Sequence, residues 1–358
     1  MRALLRFRLG THPPPPILPA MTSREIVSRC IEFRDPPRIG LHFQTEPLHG
    51  RVWDETDFAC VGYAADPKFA PQPGATRWVT EWGDTRETLT TMLGEAVAFP
   101  LGDGWEQLET YRFPDFTAPW RFATLEADVA RHHAEGKYVY GFMPALMLQP
   151  IDLRGMENWF LDHVEAPEKL GYVLDRLVEI RTLLIDRYAA AGADGVITWD
   201  DMGTNEQPFV SPAMFREIYF ERHKRAIDQL HERRMHFIHH CCGQVRAYMD
   251  MFVEAGCDVL QLDQPTLMGI DWLGDNYGGK ICFWNSGDIQ TTLPLGSREE
   301  IEAEAQHQIW KLGNFGGGFM LKAYQQPEAI GLTIDRAQCQ YEAYKRHGRY
   351  PLVRPGAR

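Results

Sequence analysis

Two histidines and two cysteines stand together in residues 235–243, MHFIHHCCG, where a short apolar run ends. Neutral imidazole and thiolate are the protein donors best suited to a borderline metal such as zinc, and both also serve acid–base and nucleophilic chemistry. Met235, Phe237 and Ile238 make a run short enough for a buried strand, and Gly243 lets the backbone turn directly after it. Adjacent side chains on a strand point to opposite faces, so at most His240 and Cys242 share one face, with His239 and Cys241 on the other. A His240-x-Cys242 metal pair is the functional reading. The competing one is packing, because a free cysteine behaves as a small buried hydrophobe.

Such residues need a scaffold. Apolar runs at 38–43, 58–63, 137–143, 195–199, 235–239, 257–263, 280–285 and 317–323 read as strands. Helical patterns fall at 22–34, 124–135, 156–162, 167–191, 211–233, 246–255, 272–277, 299–312 and 333–346, with Ser211-Pro212 and Ser297 as start signals. Almost continuously apolar strands that alternate with helices mark a parallel sheet buried on both faces. Eight of them predict an α/β fold, a (β/α)8 TIM barrel, in preference to an open doubly wound sheet. The stretch from about 50 to 130 is rich in Trp, Asp, Gly and Pro and reads as an elaboration of the N-terminal region. Its tryptophans (Trp53, Trp78, Trp82, Trp105 and Trp120) are expected to fill a cap over the barrel.

In a barrel the strand ends converge on one face. Asp200 and Asp201, His240 and Cys242, Asp263 and Gln264, Asp288, Lys322 and Gln325 all follow predicted strands, and this concentration points to an enzyme. Alternation lets only one of Asp200 and Asp201 face the mouth. Asp201, Asp263 and Lys322 are the candidate catalytic groups. Arg154, Gln264, Asp288 and Gln325 are candidates for binding substrate, although Arg154 has an alternative role in an ion pair with Glu157. Cys30 and Cys257 read as packing, and so does the glycine run 316–318, whose other reading is phosphate binding.

The chain has 358 residues and a formal charge of −12, which argues against a nucleic-acid footprint. No apolar run approaches a membrane span. Seven unevenly spread cysteines, two of them adjacent, are no disulfide framework and fit a reducing, cytoplasmic setting. Residues 1–20 carry three arginines, no acid and a four-proline run, and read as a disordered extension. One barrel domain is expected over 21–358, with Thr22 or Ser23 capping its first helix.

Over about 21–347 the chain resembles the uroporphyrinogen decarboxylase superfamily. The resemblance is carried by RDPPRIGLHF (34–43), LRGMENWFLD (153–162), GADGVITWDDMGTN (192–205), SPAMFREIY (211–219), HHCCG (239–243), EAGCDVLQLDQP (254–265), SGDIQTTLPLGSREEI (286–301) and GGGFML (316–321). It implies a (β/α)8 barrel and one of two chemistries: cofactor-free decarboxylation, or methyl transfer between a corrinoid and a thiol or other small substrate. Members of the methyltransferase branch hold zinc with a His-x-Cys and a second cysteine after the last strand. His240-x-Cys242 matches the first half, whereas Gln325 stands near the place of the second cysteine. Asp201, Glu206, Asp263 and Cys282 are candidates to complete the site. The arginine-rich N-terminal signature of the decarboxylases is absent, and QTEPLHGRVW (44–53) stands in its place. The resemblance therefore favours a zinc-assisted methyltransferase with a corrinoid carrier protein as partner. A decarboxylase, or a non-catalytic binder of a tetrapyrrole or small acid, is the alternative. A homodimer is a separate expectation that the sequence itself does not decide.

Overall fold

The computed structural model describes residues 21–44, 54–88 and 94–356. The expected extension 1–20 and Trp53 lie outside the described residues. Eight parallel strands succeed one another around a barrel: Gly40–Gln44, Phe58–Cys60, Tyr138–Met143, Gly195–Trp199, His236–Cys241, Val259–Leu262, Cys282–Asn285 and Phe319–Lys322. Parallel ladders join the second strand through to the eighth, and the eighth to the first. The last junction differs. An antiparallel strand, Asp54–Thr56, lies along the first, and among the described residues no ladder joins it to Phe58–Cys60.

Asp57 bridges that seam. Its N–H donates to Leu41 O at 2.7 Å, its carboxylate accepts from Leu41 N–H at 2.8 Å, and its carbonyl accepts from Tyr138 N–H at 2.8 Å. Arg38 grips the same carboxylate with two N–H groups at 2.6 and 2.7 Å. The buried charge is thereby paired and hydrogen-bonded, as burial requires.

Inward-facing Phe58, Tyr138, Tyr140, Ile197, Ile238, Val259, Cys282, Trp284 and Met320 form one apolar cluster with Ile26, Val27, Cys30 and Ile31 of the helix Ser23–Ile31. Burying each large member contributes about 1.5–3 kcal/mol. Phe58 and Trp284 stack at 4.5 Å in the middle of it. The N-terminal end of the barrel is thus plugged, and polar groups are left for the other end. Cys282 sits in this apolar layer and is not at the mouth, which removes it from the candidate ligands. The glycine run packs closely: a Cβ on Gly317 would stand 2.9 Å from Cys30 O.

The helices Pro167–Ala191, Arg298–Gly313 and Ile334–His347 fall where the sequence places them, the second opened by a capping box at Ser297. Two local features differ from expectation. The helix that starts at Ser211 is broken by a π-helical segment, Phe215–Phe220, before resuming as Glu221–Glu232. A helix at Leu148–Arg154 was not foreseen. Its N-terminus has no local cap; the carboxylate of Asp200, fifty-odd residues on, accepts the N–H groups of Leu146, Met147 and Leu148 at 2.9–3.2 Å. The elaboration holds a three-stranded antiparallel sheet, Arg77–Val79, Thr85–Glu87 and Glu95–Ala98.

Candidate active site and metal centre

The two segments that carry the donors are held side by side beyond the ends of their strands. Asp200 N–H bonds His240 O at 3.1 Å, Met202 N–H bonds Cys242 O at 3.4 Å, and Gln244 N–H bonds Thr204 O at 2.7 Å. Gly243 makes this possible. Its φ is +87°, and a Cβ there would lie 2.1 Å from Gly203 O. Any side chain would force the loops apart.

Alternation separates the neighbours as expected. Asp200 turns outward and is fully buried against the helix start it caps. Asp201 turns to the mouth. His239 is buried among His223, Phe237 and Phe252, and Cys241 is buried too. His240 and Cys242 face the mouth beside Asp201.

His240, Cys242 and Asp201 offer one ligand atom each, all within 4.8 Å of one another. His240 Nε2 lies 3.4 Å from Asp201 Oδ1 and 3.6 Å from Cys242 Sγ. Zinc bonds of about 2.0–2.1 Å to nitrogen or oxygen and about 2.3 Å to sulfur, at tetrahedral angles, would space N and O by about 3.4 Å and N and S by about 3.6 Å. The His–Asp and His–Cys spacings thus match a tetrahedral ion, with the third pair within 4.8 Å, and three donors would leave one position for a small ligand.

The far side of the imidazole is equally defined. Lys322 Nζ donates to Asp263 at 2.9 and 3.2 Å and to Gln261 Oε1 at 3.2 Å. Gln261 Nε2 donates to Asp263 Oδ1 at 2.8 Å. This orients the Gln261 amide so that its oxygen meets His240 Nδ1. The ring proton then sits on Nδ1, which leaves Nε2 facing Asp201 and Cys242. Donation of the other ring N–H to a fixed acceptor is the arrangement that orients a metal-ligating histidine.

Burial raises the Asp201 carboxyl, but His240 and the Cys242 N–H outweigh it and hold the pKa below the usual range. Burial also works against Asp263, yet Lys322 above all brings it down to about 2. The Cys242 thiol is pushed far up by burial and then by the charges of Asp201 and Asp263. Metal loading would therefore release a proton from this thiol.

A cavity of about 450 Å³ opens over these groups, lined among others by Trp199, Asp201, His240, Asp263, Lys322, Tyr324 and Gln325. A second depression of about 520 Å³, near Trp105 and Tyr172, holds none of the strand-end groups. Three expected substrate binders lie elsewhere. Arg154 is buried and pairs with Asp162 at 2.7 Å, not with exposed Glu157, while its guanidinium stacks 4.3 Å from the Trp105 ring. Gln264 spends its amide oxygen on Gly243 N–H at 2.8 Å, bracing the loop. Asp288 caps the next turn through Gln290 and Thr291 N–H groups. Glu206 is exposed and outside the triad. Gln261, Trp199 and Tyr324 were not anticipated. For Gln261 a signal existed, since Val259, Gln261 and Asp263 share one face of their strand.

A parallel (β/α)8 barrel with a His, Cys and Asp cluster at its C-terminal strand ends has the architecture of barrel enzymes. The chain belongs to the uroporphyrinogen decarboxylase (URO-D) family, whose model matches residues 130–322, more than half of its length. It is 24% identical over 179 residues to a uroporphyrinogen decarboxylase from Thioalkalivibrio sulfidiphilus (strain HL-EbGR7), a match over 48% of this chain that spans 49% of that relative. Its fold is that of a methyltransferase from Methanosarcina mazei, with a TM-score of 0.66 and 14% identity over 91% of this chain and 99% of the other. The sequence match is thus to a decarboxylase, and the methyltransferase shares the fold. No described helix is long and apolar enough to cross a membrane.

Proposed function

We propose that the protein is a metal-assisted methyltransferase that moves a methyl group between a small thiol, or another small substrate, and a corrinoid borne by a partner protein. The observation that supports this best is the Asp201–His240–Cys242 triad, whose spacing fits a tetrahedral ion and leaves an open position. Asp201 takes the place of the third ligand that the sequence resemblance assigns to a cysteine. Zinc at this site would lower the pKa of a bound thiol or water so that it is ionised near neutral pH. His240, Cys242 and Asp201 would hold the ion. Gln261 and Asp263 fix the imidazole, and Lys322 offsets the Asp263 charge. Trp199 and Tyr324 wall the space where a substrate would lie.

A carboxylate-led decarboxylase centred on Asp201 is the second reading, favoured by the uroporphyrinogen decarboxylase match. It needs cations for substrate carboxylates. Among the described residues lining the cavity the cation is Lys322, whose bonds go to Asp263 and Gln261. The test is metal content. Zinc should bind the purified protein and be lost when Cys242→Ser is combined with His240→Ala, while Cys241→Ser leaves it in place. A wild-type protein that stays metal-free in excess zinc yet turns over a substrate would replace the methyltransferase reading with the carboxylate-led one.

A further inference from the structure

A metal-bound thiol fixes one end of a substrate, and the cavity constrains the other end. This inference rests on the reading of the triad as a metal centre. With a divalent ion, the Asp201 carboxylate, the Cys242 thiolate and an incoming thiolate, the centre carries one net negative charge. Asp263 and Lys322 cancel each other as a buried pair. Among the described residues lining the cavity, no cation is left for an acidic substrate head.

The walls point the same way. Trp199 lies on the inward face of its strand, two residues before Asp201, yet it is 39% exposed and lines the cavity. Its ring lies 5.6 Å from that of Phe142. Trp199 is paired in register with His240, so the ring and the triad share one face of the sheet and one cavity. Tyr324, half-buried just past the eighth strand, lines the same cavity. Its hydroxyl is held protonated by burial and then by the charges of Asp263, Cys242 and Asp201. Tryptophan is the best aromatic partner for a cation, and tyrosine also serves.

We infer that the substrate is a small thiol with a cationic ammonium head seated against Trp199 and Tyr324, in preference to a thiol ending in a carboxylate, sulfonate or phosphate. The test loads the full chain with cobalt(II), whose absorption reports thiolate ligation. It is titrated with thiocholine, mercaptoethanol and mercaptopropionate, which share the thiol and differ in the head. Thiocholine should bind at least about tenfold tighter than mercaptopropionate, with mercaptoethanol between them, the scale of a desolvated cation–π contact. Trp199→Leu or Tyr324→Leu should shrink that ratio at least about fivefold while cobalt stoichiometry is unchanged. Equal or tighter binding of mercaptopropionate, or a ratio unmoved in both variants, overturns the inference. If no thiol alters the cobalt spectrum, the metal–thiol reading fails instead. The head group is then decided in metal-free protein by tryptophan fluorescence. A clear preference for choline over its neutral isostere dimethylbutanol upholds the cationic site, and equal binding overturns it.

Discussion

Replacing Asp263 by asparagine keeps the shape of the side chain and removes its charge. In the folded chain the carboxyl is brought from 3.8 to about 2, the pull of Lys322 winning over burial. A folded-state pKa below the unfolded one means that the ionised form is favoured by folding. Its stabilisation is present in full above the unfolded value and is lost as pH falls through the folded one. The interval corresponds to about 2.4 kcal/mol at neutral pH. At pH 3 about 1.3 kcal/mol of it should remain. The group is only 5% exposed, so solvent screening takes little away. Urea unfolding of wild type and Asp263→Asn, run at a series of pH values, measures the difference directly. It should be flat from about pH 7 to 5 and shrink steadily below pH 4, because a protonated aspartic acid and an asparagine leave Lys322 in the same position. A difference that is constant down to pH 3, or that grows as pH falls, would refute the claim that the ion pair holds Asp263 ionised.

Two further outcomes follow from the same geometry. Gln261→Leu removes the acceptor for His240 Nδ1 and should weaken zinc binding by about 10- to 100-fold, read by competition with a chromogenic chelator; unchanged affinity would show that the relay does not orient the ring. Asp200→Asn leaves at least one N–H at the start of Leu148–Arg154 without an acceptor and should cost about 1–3 kcal/mol in urea unfolding, whereas a loss under about 0.5 kcal/mol would show that the cap is dispensable.

The barrel was legible because its signals are local. Apolar runs of strand length alternate with capped helices, and Gly195–Trp199 and Pro167–Ala191 end where the sequence says they should. The triad was half legible. Parity put His240 and Cys242 on one face, but the choice of Asp201 over Glu206, Asp263 and Cys282 needed the two loops to be seen running side by side. What stayed hidden depends on contacts between distant residues. Leu148–Arg154 is capped by a carboxylate from another strand end, so no motif precedes it. Arg154 pairs with Asp162, five residues beyond the acid that spacing suggested, and Asp162 is buried whereas Glu157 is exposed. Asp288 has the right placement after a strand, yet its oxygens turn back on their own loop. Placement at a strand end does not by itself aim a side chain at the mouth.

The seam at Asp57 has a mechanical consequence. Every other junction of the barrel is a ladder of several backbone hydrogen bonds that must break together, whereas among the described residues the seam between the arms of the Asp54–Cys60 turn is closed by isolated contacts, those of Asp57 and the bonds of Thr56 to Phe58 and Lys137. Local opening costs least where few backbone bonds must part at once. Brief excursions of the barrel wall should therefore begin at this seam. The first strand is paired on its other side with the strand that carries Lys322. Loosening at Asp57 is thus one neighbour away from the Lys322–Asp263 pair of the mouth, and the grip of Arg38 on the Asp57 carboxylate opposes it.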